Sequence, residues 1–305
     1  MLDGINESFT RDSQRGRIFA ALAAVYLSWG STYLAIRIAL DELPPLFMMG
    51  IRFFLFGIGI YVYLRLRGAP NPTLREWLWS AVIGTFLMLG GSAGVAYAEQ
   101  WVASGLAALV IATTPLWTVL FAGIWKRWPN RLEWAGLLVG LGGIVVLNFE
   151  GDLRASPLGA ALLILAAMSW AFGSAWSQNL KLPRGMMAGA AQMITGGAIV
   201  LLVSFAIGEK ITVVPTWRSI GAVLYLGIVG SLVGFSAYVY LLSRVRPALA
   251  TSYAYVNPII AVLLGMWILG ERVHRAGLIA MVIILTGVAL VLLGQLRYGK
   301  NRKRG

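Results

Sequence analysis

The sequence predicts an all-α membrane protein of ten transmembrane helices, arranged as two inverted five-helix repeats. Three observations carry that expectation. The 305 residues are 59% hydrophobic and only 12% charged, against about 25% charged in an average soluble domain. With a mean hydropathy of +0.78, a water-soluble fold could not hide so much apolar surface. Apolar runs of helix length recur ten times, and one spanning passage is written twice, 143 positions apart.

Each run is near or above the roughly 20 residues that cross a bilayer as a helix. A polar segment, 1–16, precedes span 1 (17–40), which is too long for a signal peptide and is expected to stay on the mature protein. Span 2 (45–64) follows, then span 3 (77–98), which opens on Trp77 and Trp79. Span 4 (104–125) holds Pro115 and ends on Trp125, and span 5 (132–149) follows Trp128. The second repeat supplies spans 6 (157–179), 7 (185–207), 8 (218–242, beside Trp217), 9 (248–269, with Pro258 inside and Trp267 at its end) and 10 (276–296). Tryptophans at these edges fit the interfacial aromatic belt. The repeats are placed at 17–150 and 151–296, and a basic tail at 297–305. Alternation with period two, the barrel signature, is not evident.

Ten spans put both termini on one side. With that side as the cytoplasm, the inner segments hold 18 of the 25 Lys and Arg residues. The outer loops hold five: Arg154, Lys210, Arg218, Arg272 and Arg275. This positive-inside bias predicts cytoplasmic termini on a multi-pass protein of a bacterial inner membrane. The net charge of +13 lies in short loops between apolar runs, so it argues for topology and not for nucleic acid. The absence of cysteine excludes a disulfide framework, a thiol nucleophile and a zinc-thiolate site.

Sliding the doubled passage onto itself superposes Gly84 on Gly227, Gly91 on Gly234, Tyr97 on Tyr240 and Pro115 on Pro258. Five spans per half is an odd number, so the second half starts from the opposite side and the repeats are inverted. At about 1.5 Å per residue, both prolines lie roughly 15–17 Å deep, near the midplane. Proline removes a helical donor, and breaks at corresponding points of two halves point to a transporter's binding site.

The stretch WGSTYLAIRIALDELPPLFMMGIRF (29–53) resembles the opening of EamA-type proteins of the drug/metabolite transporter superfamily. ATTPLWTVLFAGIW (112–125) with EWAGLLVGLGGIVVL (133–147), and YVNPIIAVLLGMWILGERVHRAGLIAMVIILTGVAL (255–290), resemble the ends of the two repeats of that family. One departure is that the second repeat keeps Gly270-Glu271 where the first has Lys126-Arg127. The resemblance implies ten helices around a central cavity and export of small metabolites, the amino-acid exporters being the favoured branch.

No Asp or Glu falls well inside a predicted span. Asp41, Glu42, Glu99 and Glu271 lie at or just beyond outer ends, and the one histidine, His274, lies in an outer loop. Proton-coupled carriers usually keep an intramembrane carboxylate or histidine, so a facilitator without strict proton coupling is expected. No acid/base or ligand cluster supports an enzyme, a metal or another cofactor. Arg37 and Arg52 are expected to snorkel or to pair with Asp41 or Glu99 at the interface, the other reading being that one of them attracts a substrate carboxylate.

The candidate substrate-binding set is Trp29, Tyr33, Ser92, Thr113, Thr114, Trp170, Ser174, Tyr238, Tyr253 and Asn257. Trp29 and Trp170 sit at midplane depth, where the belt explanation fails and packing or cavity lining is left. Carbonyls freed by Pro115 and Pro258, with Thr113, Thr114 and Asn257, can hold a zwitterion, and the aromatics can stack on its side chain. Gly90, Gly91, Gly94 and Gly234 are the candidate gating glycines. The partners implied are a small solute and the lipid bilayer, with no nucleic acid; a monomer suffices, and the oligomeric state is open. The alternatives are export of a drug, polyamine, purine or sugar on the same fold, or a membrane scaffold with no transport cycle.

Overall fold

The computed structural model describes residues 2–125, 128–147, 156–244 and 253–301, and among them every regular element is helical. We label them α1 (Leu2–Ala39), α2 (Pro45–Leu66), α3 (Leu74–Ala98), α4 (Ser104–Trp125), α5 (Arg131–Leu147), α6 (Pro157–Ser177), α7 (Met186–Ala206), α8 (217–244), α9 (253–269) and α10 (Arg275–Asn301). Seven stretches, in α1–α4 and α6–α8, are long and apolar enough to cross a membrane, while α9 and α10 carry shorter apolar runs. The segment 1–16, expected as a separate tail, continues α1 from Leu2 onward. Once the apolar stretch has nucleated a helix, extending it costs little. The boundary at 150–151 and the first residues of span 9 lie outside the described residues.

Helices pack in a pattern that survives a shift of five. α1 lies against α8 and α9, as α6 lies against α3 and α4; α2 pairs with α7 and α5 with α10. Lipid offers no hydrophobic drive between helices, so close pairs depend on small residues that let backbones approach. A Cβ added at Gly57 would lie 2.9 Å from Ile194 N, and one at Gly197 would lie 2.6 Å from Phe54 N. At the α5–α10 crossing, a Cβ on Gly136 would lie 2.6 Å from the Gly287 carbonyl oxygen. One apolar core joins α3–α6 and α10, around Leu106, Leu116, Leu163 and Ile284; a second joins α1–α3, α7 and α8, around Met48, Met49, Phe53 and Leu226.

Three helices are locally underwound into wider turns. Residues Thr85–Ala93 of α3, Leu226–Val233 of α8 and Gly265–Leu269 of α9 are π-helical. Such turns are rare overall but frequent at functional sites. In α3 and α8 a carbonyl of the π turn takes a side-chain donor from the crossing helix. Ser169 Oγ donates to Phe86 O at 2.8 Å, and Trp29 Nε1 donates to Gly230 O at 2.9 Å.

The end of the bundle away from the termini is tied by carboxylates that cap helices of the other half. Glu42 accepts from the Thr216 amide (2.6 Å) and hydroxyl (2.9 Å) at the start of α8. Glu209 accepts from the amides of Leu46 (3.2 Å) and Phe47 (2.8 Å) at the start of α2, and from Ser204 Oγ at 2.7 Å. Glu271 accepts from the Ser104 amide and hydroxyl, both 2.9 Å, and the Gly105 amide, 3.2 Å, at the start of α4. Each places negative charge where helix N–H groups lack partners. Near the termini the caps are mostly local, as in the Thr73–Glu76 box that opens α3. Glu209→Ala is therefore expected to cost about 1–2 kcal/mol of stability, read as a lower thermal midpoint in detergent. Glu209→Gln keeps an acceptor and should lose less.

Candidate functional site

The candidate site is built where α1, α8 and α9 meet. Trp29 of α1 presents its indole to Tyr238 of α8, with centroids 5.2 Å apart and planes at 48°, and edge-on to Tyr253 of α9, at 4.7 Å and 89°. Tyr238 and Tyr253 meet each other at 5.8 Å and 85°. These tilted and edge-on arrangements suit the ring quadrupole. The hydrogen bond from Trp29 Nε1 to Gly230 O fixes the indole. Tyr33, one turn along α1, packs against the core that includes Leu106.

Asn257 stands one turn after Tyr253 on the same face of α9. It is 7% exposed, and its Oδ1 has no hydrogen-bond partner among the described residues. Buried amide oxygens without partners are uncommon, and leaving one unpaired costs about 1–3 kcal/mol. Pro258 follows within an uninterrupted helix, so the carbonyl four residues earlier, that of Ala254, loses its helical donor. A second acceptor therefore lies on the turn that bears Asn257.

Pro115 behaves differently. The α4 helix is divided at residues 112–113, and Pro115 stands in the first turn of the second piece with Thr113 as its N-cap. The carbonyls exposed by this break are covered locally. Thr113 Oγ1 donates to Val110 O and Thr114 Oγ1 to Ile111 O, both at 2.6 Å, and Trp117 Nε1 donates to Thr113 Oγ1 at 3.2 Å. Thr113 is fully buried.

Trp170 lies on α6 in the place that Trp29 holds on α1, its ring against Gly91: a Cβ there would sit 2.8 Å from Cε3. Ser92 and Ser174 are half-buried nearby in sequence on α3 and α6. The candidate gating glycines Gly90, Gly91, Gly94 and Gly234 have no positive φ. They are points of close approach, to Ser169, Trp170, Ala166 and Trp29 respectively.

The two arginines depart from expectation. Arg52 does not snorkel, and it pairs with no acid among the described residues; it is 7% exposed, its Nε donates to Ser231 Oγ at 3.2 Å, and its guanidinium stands 4.8 Å from the Phe53 ring centroid. It thus reaches the π turn of α8 that also holds Trp29. Arg37 Nη1 donates to the main-chain oxygen of Glu99 at 2.6 Å, not to its carboxylate. Glu99, expected at the interface, is 0% exposed. Sequence position gave its level along the bundle but not the packing around it.

The sequence matches the EamA-like transporter family at residues 14–149 and again at 157–293. The chain belongs to that family. Among relatives of this EamA-like transporter, the "uncharacterized inner membrane transporter YedA" of Escherichia coli strain K12 is 45% identical over 279 residues, covering 91% of each chain. A "probable amino-acid metabolite efflux pump" of the same strain is 23% identical over 96% of this chain and 99% of its own. A "probable terminal-alkyne amino-acid exporter" of Streptantibioticus cattleyicolor is 24% identical over 89% and 92%. A solved crystal structure matches with a TM-score of 0.63 at 22% identity, covering 93% of this chain and 99% of the other, which shows a shared fold. The two family matches divide the EamA-like chain into two repeats. The α1–α8–α9 site joins one helix of the first repeat to two of the second.

Proposed function

We propose that the protein exports small metabolites, namely aromatic or other neutral amino acids, across the inner membrane by alternating access. Two inverted five-helix repeats, with both termini cytoplasmic, would rock about the site between them. The carrying observation is the ring triad of Trp29, Tyr238 and Tyr253 beside the unpartnered Oδ1 of Asn257. In this reading the rings take the substrate side chain, and Asn257 with the Ala254 carbonyl takes its ammonium group. Arg52, for which no carboxylate partner is recorded among the described residues, lies one residue pair away across Gly230 and Ser231 and suits a substrate carboxylate. Thr113, Thr114, Trp170, Ser92 and Ser174 belong to the facing wall. The exporter names carried by two distant relatives agree with this substrate class. No strict proton coupling is proposed, since the described site carries no carboxylate.

The test is uptake of labelled amino acids into liposomes holding the purified protein, with and without a pH gradient. Saturable flux of a neutral or aromatic amino acid without a gradient is expected. Absence of flux for every amino acid would discard the substrate class and leave a drug, polyamine, purine or sugar as the solute. Flux only with a gradient would discard the facilitator. Asn257→Ala is expected to raise KM about tenfold, the worth of roughly 1.4 kcal/mol of lost binding, with little effect on kcat.

A further inference from the structure

The buried carboxyl of Glu99 takes no part in the site above. It closes α3, is 0% exposed, and neither side-chain oxygen has a hydrogen-bond partner among the described residues. Arg37, a cation whose charge reaches this carboxyl, spends a donor on the Glu99 main-chain carbonyl. Beside it lies a cavity of about 410 Å³ at the end of the bundle away from the termini, lined in part by Arg37, Asp41, Ala103, Glu271 and Arg272. Glu271 is the carboxylate that holds the first turn of α4, tying the second repeat to the first.

Glu99, buried and without partners among the described residues, therefore lies within electrostatic reach of a second carboxyl, that of Glu271, which is half-buried on the cavity wall and engaged as an acceptor. Arg37 of α1 and Glu271 from the turn after α9 act on the Glu99 carboxyl, and Tyr33 of α1 lies within reach of its charge. Asp41 and Arg272 stand on the cavity rim. An unpaired carboxylate in such surroundings costs several kcal/mol, so the neutral acid is the stable form.

We propose that Glu99 is a proton-binding site that controls the opening of this end of the transporter. With the proton on, Glu271 stays seated on the α4 N-terminus and the end is closed. With the proton off, the Glu99 charge repels Glu271, the hydrogen bonds to Ser104 and Gly105 are lost, and water enters through the cavity. The proton acts on the gate and is not consumed by each transport cycle, so the facilitator reading is unaffected. The proposal rests on the chain being a transporter, not on its substrate.

The direction of the pH dependence follows from linkage. Burial first, then the Glu271 charge, pushes the Glu99 pKa well above the ordinary carboxylate value of 4.5, against a smaller opposing pull from Arg37. Once the gate opens and water enters, that value returns toward normal. The closed form thus holds its full advantage below the ordinary value and loses it as pH rises through the raised one. Acid closes this end and alkali opens it.

The chain has no cysteine, so a single introduced thiol reports on the gate. Ala103→Cys, on the cavity wall, is reconstituted in liposomes and labelled with a membrane-impermeant maleimide across mildly acidic to mildly alkaline pH. Its rate is divided by that of Val213→Cys, 51% exposed at the same end, which cancels the pH dependence of the thiolate itself. The ratio is expected to rise by up to about tenfold per pH unit. In a Glu99→Gln background it should stay at the low-pH level throughout. Gly265→Ala offers a second route, because a Cβ there would collide with the Glu271 carboxylate. It should hold the ratio at the alkaline level at every pH. A flat ratio in the parent protein, or an unchanged rise in Glu99→Gln, would overturn the proposal. These readouts need no substrate, so they stand or fall independently of the amino-acid flux.

Discussion

Gly287→Leu is expected to destabilise the fold strongly. A Cβ at this position would lie 2.5 Å from Gly140 N and 2.7 Å from the Gly136 carbonyl oxygen. Both are backbone atoms of α5, and neither can rotate away. The α5–α10 pair must separate along a crossing that also holds Gly143 against Ile284. Overpacking of this kind costs about 3 kcal/mol, a large share of the roughly 5–15 kcal/mol that typical soluble domains possess. The measurement is the yield of monodisperse protein in detergent and its thermal midpoint. Gly142→Leu is the control, since a Cβ at Gly142 meets nothing within 4 Å. Equal behaviour of the two variants would show that the α5–α10 crossing does not hold the repeats together.

Trp29→Ala should have the largest effect on transport among changes within the site. The indole supplies two ring contacts and one hydrogen bond to the π turn of α8. Together these are worth about 2–4 kcal/mol, or roughly a hundredfold in kcat/KM. Trp29→Phe keeps a ring and loses the donor, so an intermediate loss of about tenfold is expected. A Trp29→Ala protein with normal stability and undiminished flux would remove the triad from the substrate path. If both variants lose stability in proportion to flux, the triad is a packing element.

Helix positions were readable because span length and apolar composition decide them. Pro45, Ser104, Pro157 and Met186 open helices within a residue or so of the expected starts. The pairing of midplane Trp29 with Tyr238 and Tyr253 was partly readable, since depth along a helix follows from counting. Its partners across helices did not follow, because one residue of rotation moves a side chain by about 100°. The same limit hid Glu99. Its place at the end of α3 was clear, but its burial depends on helices distant in sequence, such as the one that brings Arg37 to its main-chain oxygen. Pro115 and Pro258 were matched by position, yet threonine hydroxyls cover the carbonyls of one and a continuous helix surrounds the other. The π turns left only a trace, the glycines at 90, 91, 227, 230 and 234, which a sequence reading takes for flexible points.

Those wide turns also bear on how such a bundle moves. A helix wound with a surplus residue carries slack. Passing one residue from π to α winding turns the rest of the helix by about 100° and shifts it by about 1.5 Å while its hydrogen bonds stay made. α3 and α8 hold this slack at corresponding places, each latched by a side chain from the helix it crosses. Ser169 and Trp29 each hold one of these π turns by a carbonyl, and the step that losing such a bond would allow is one residue long.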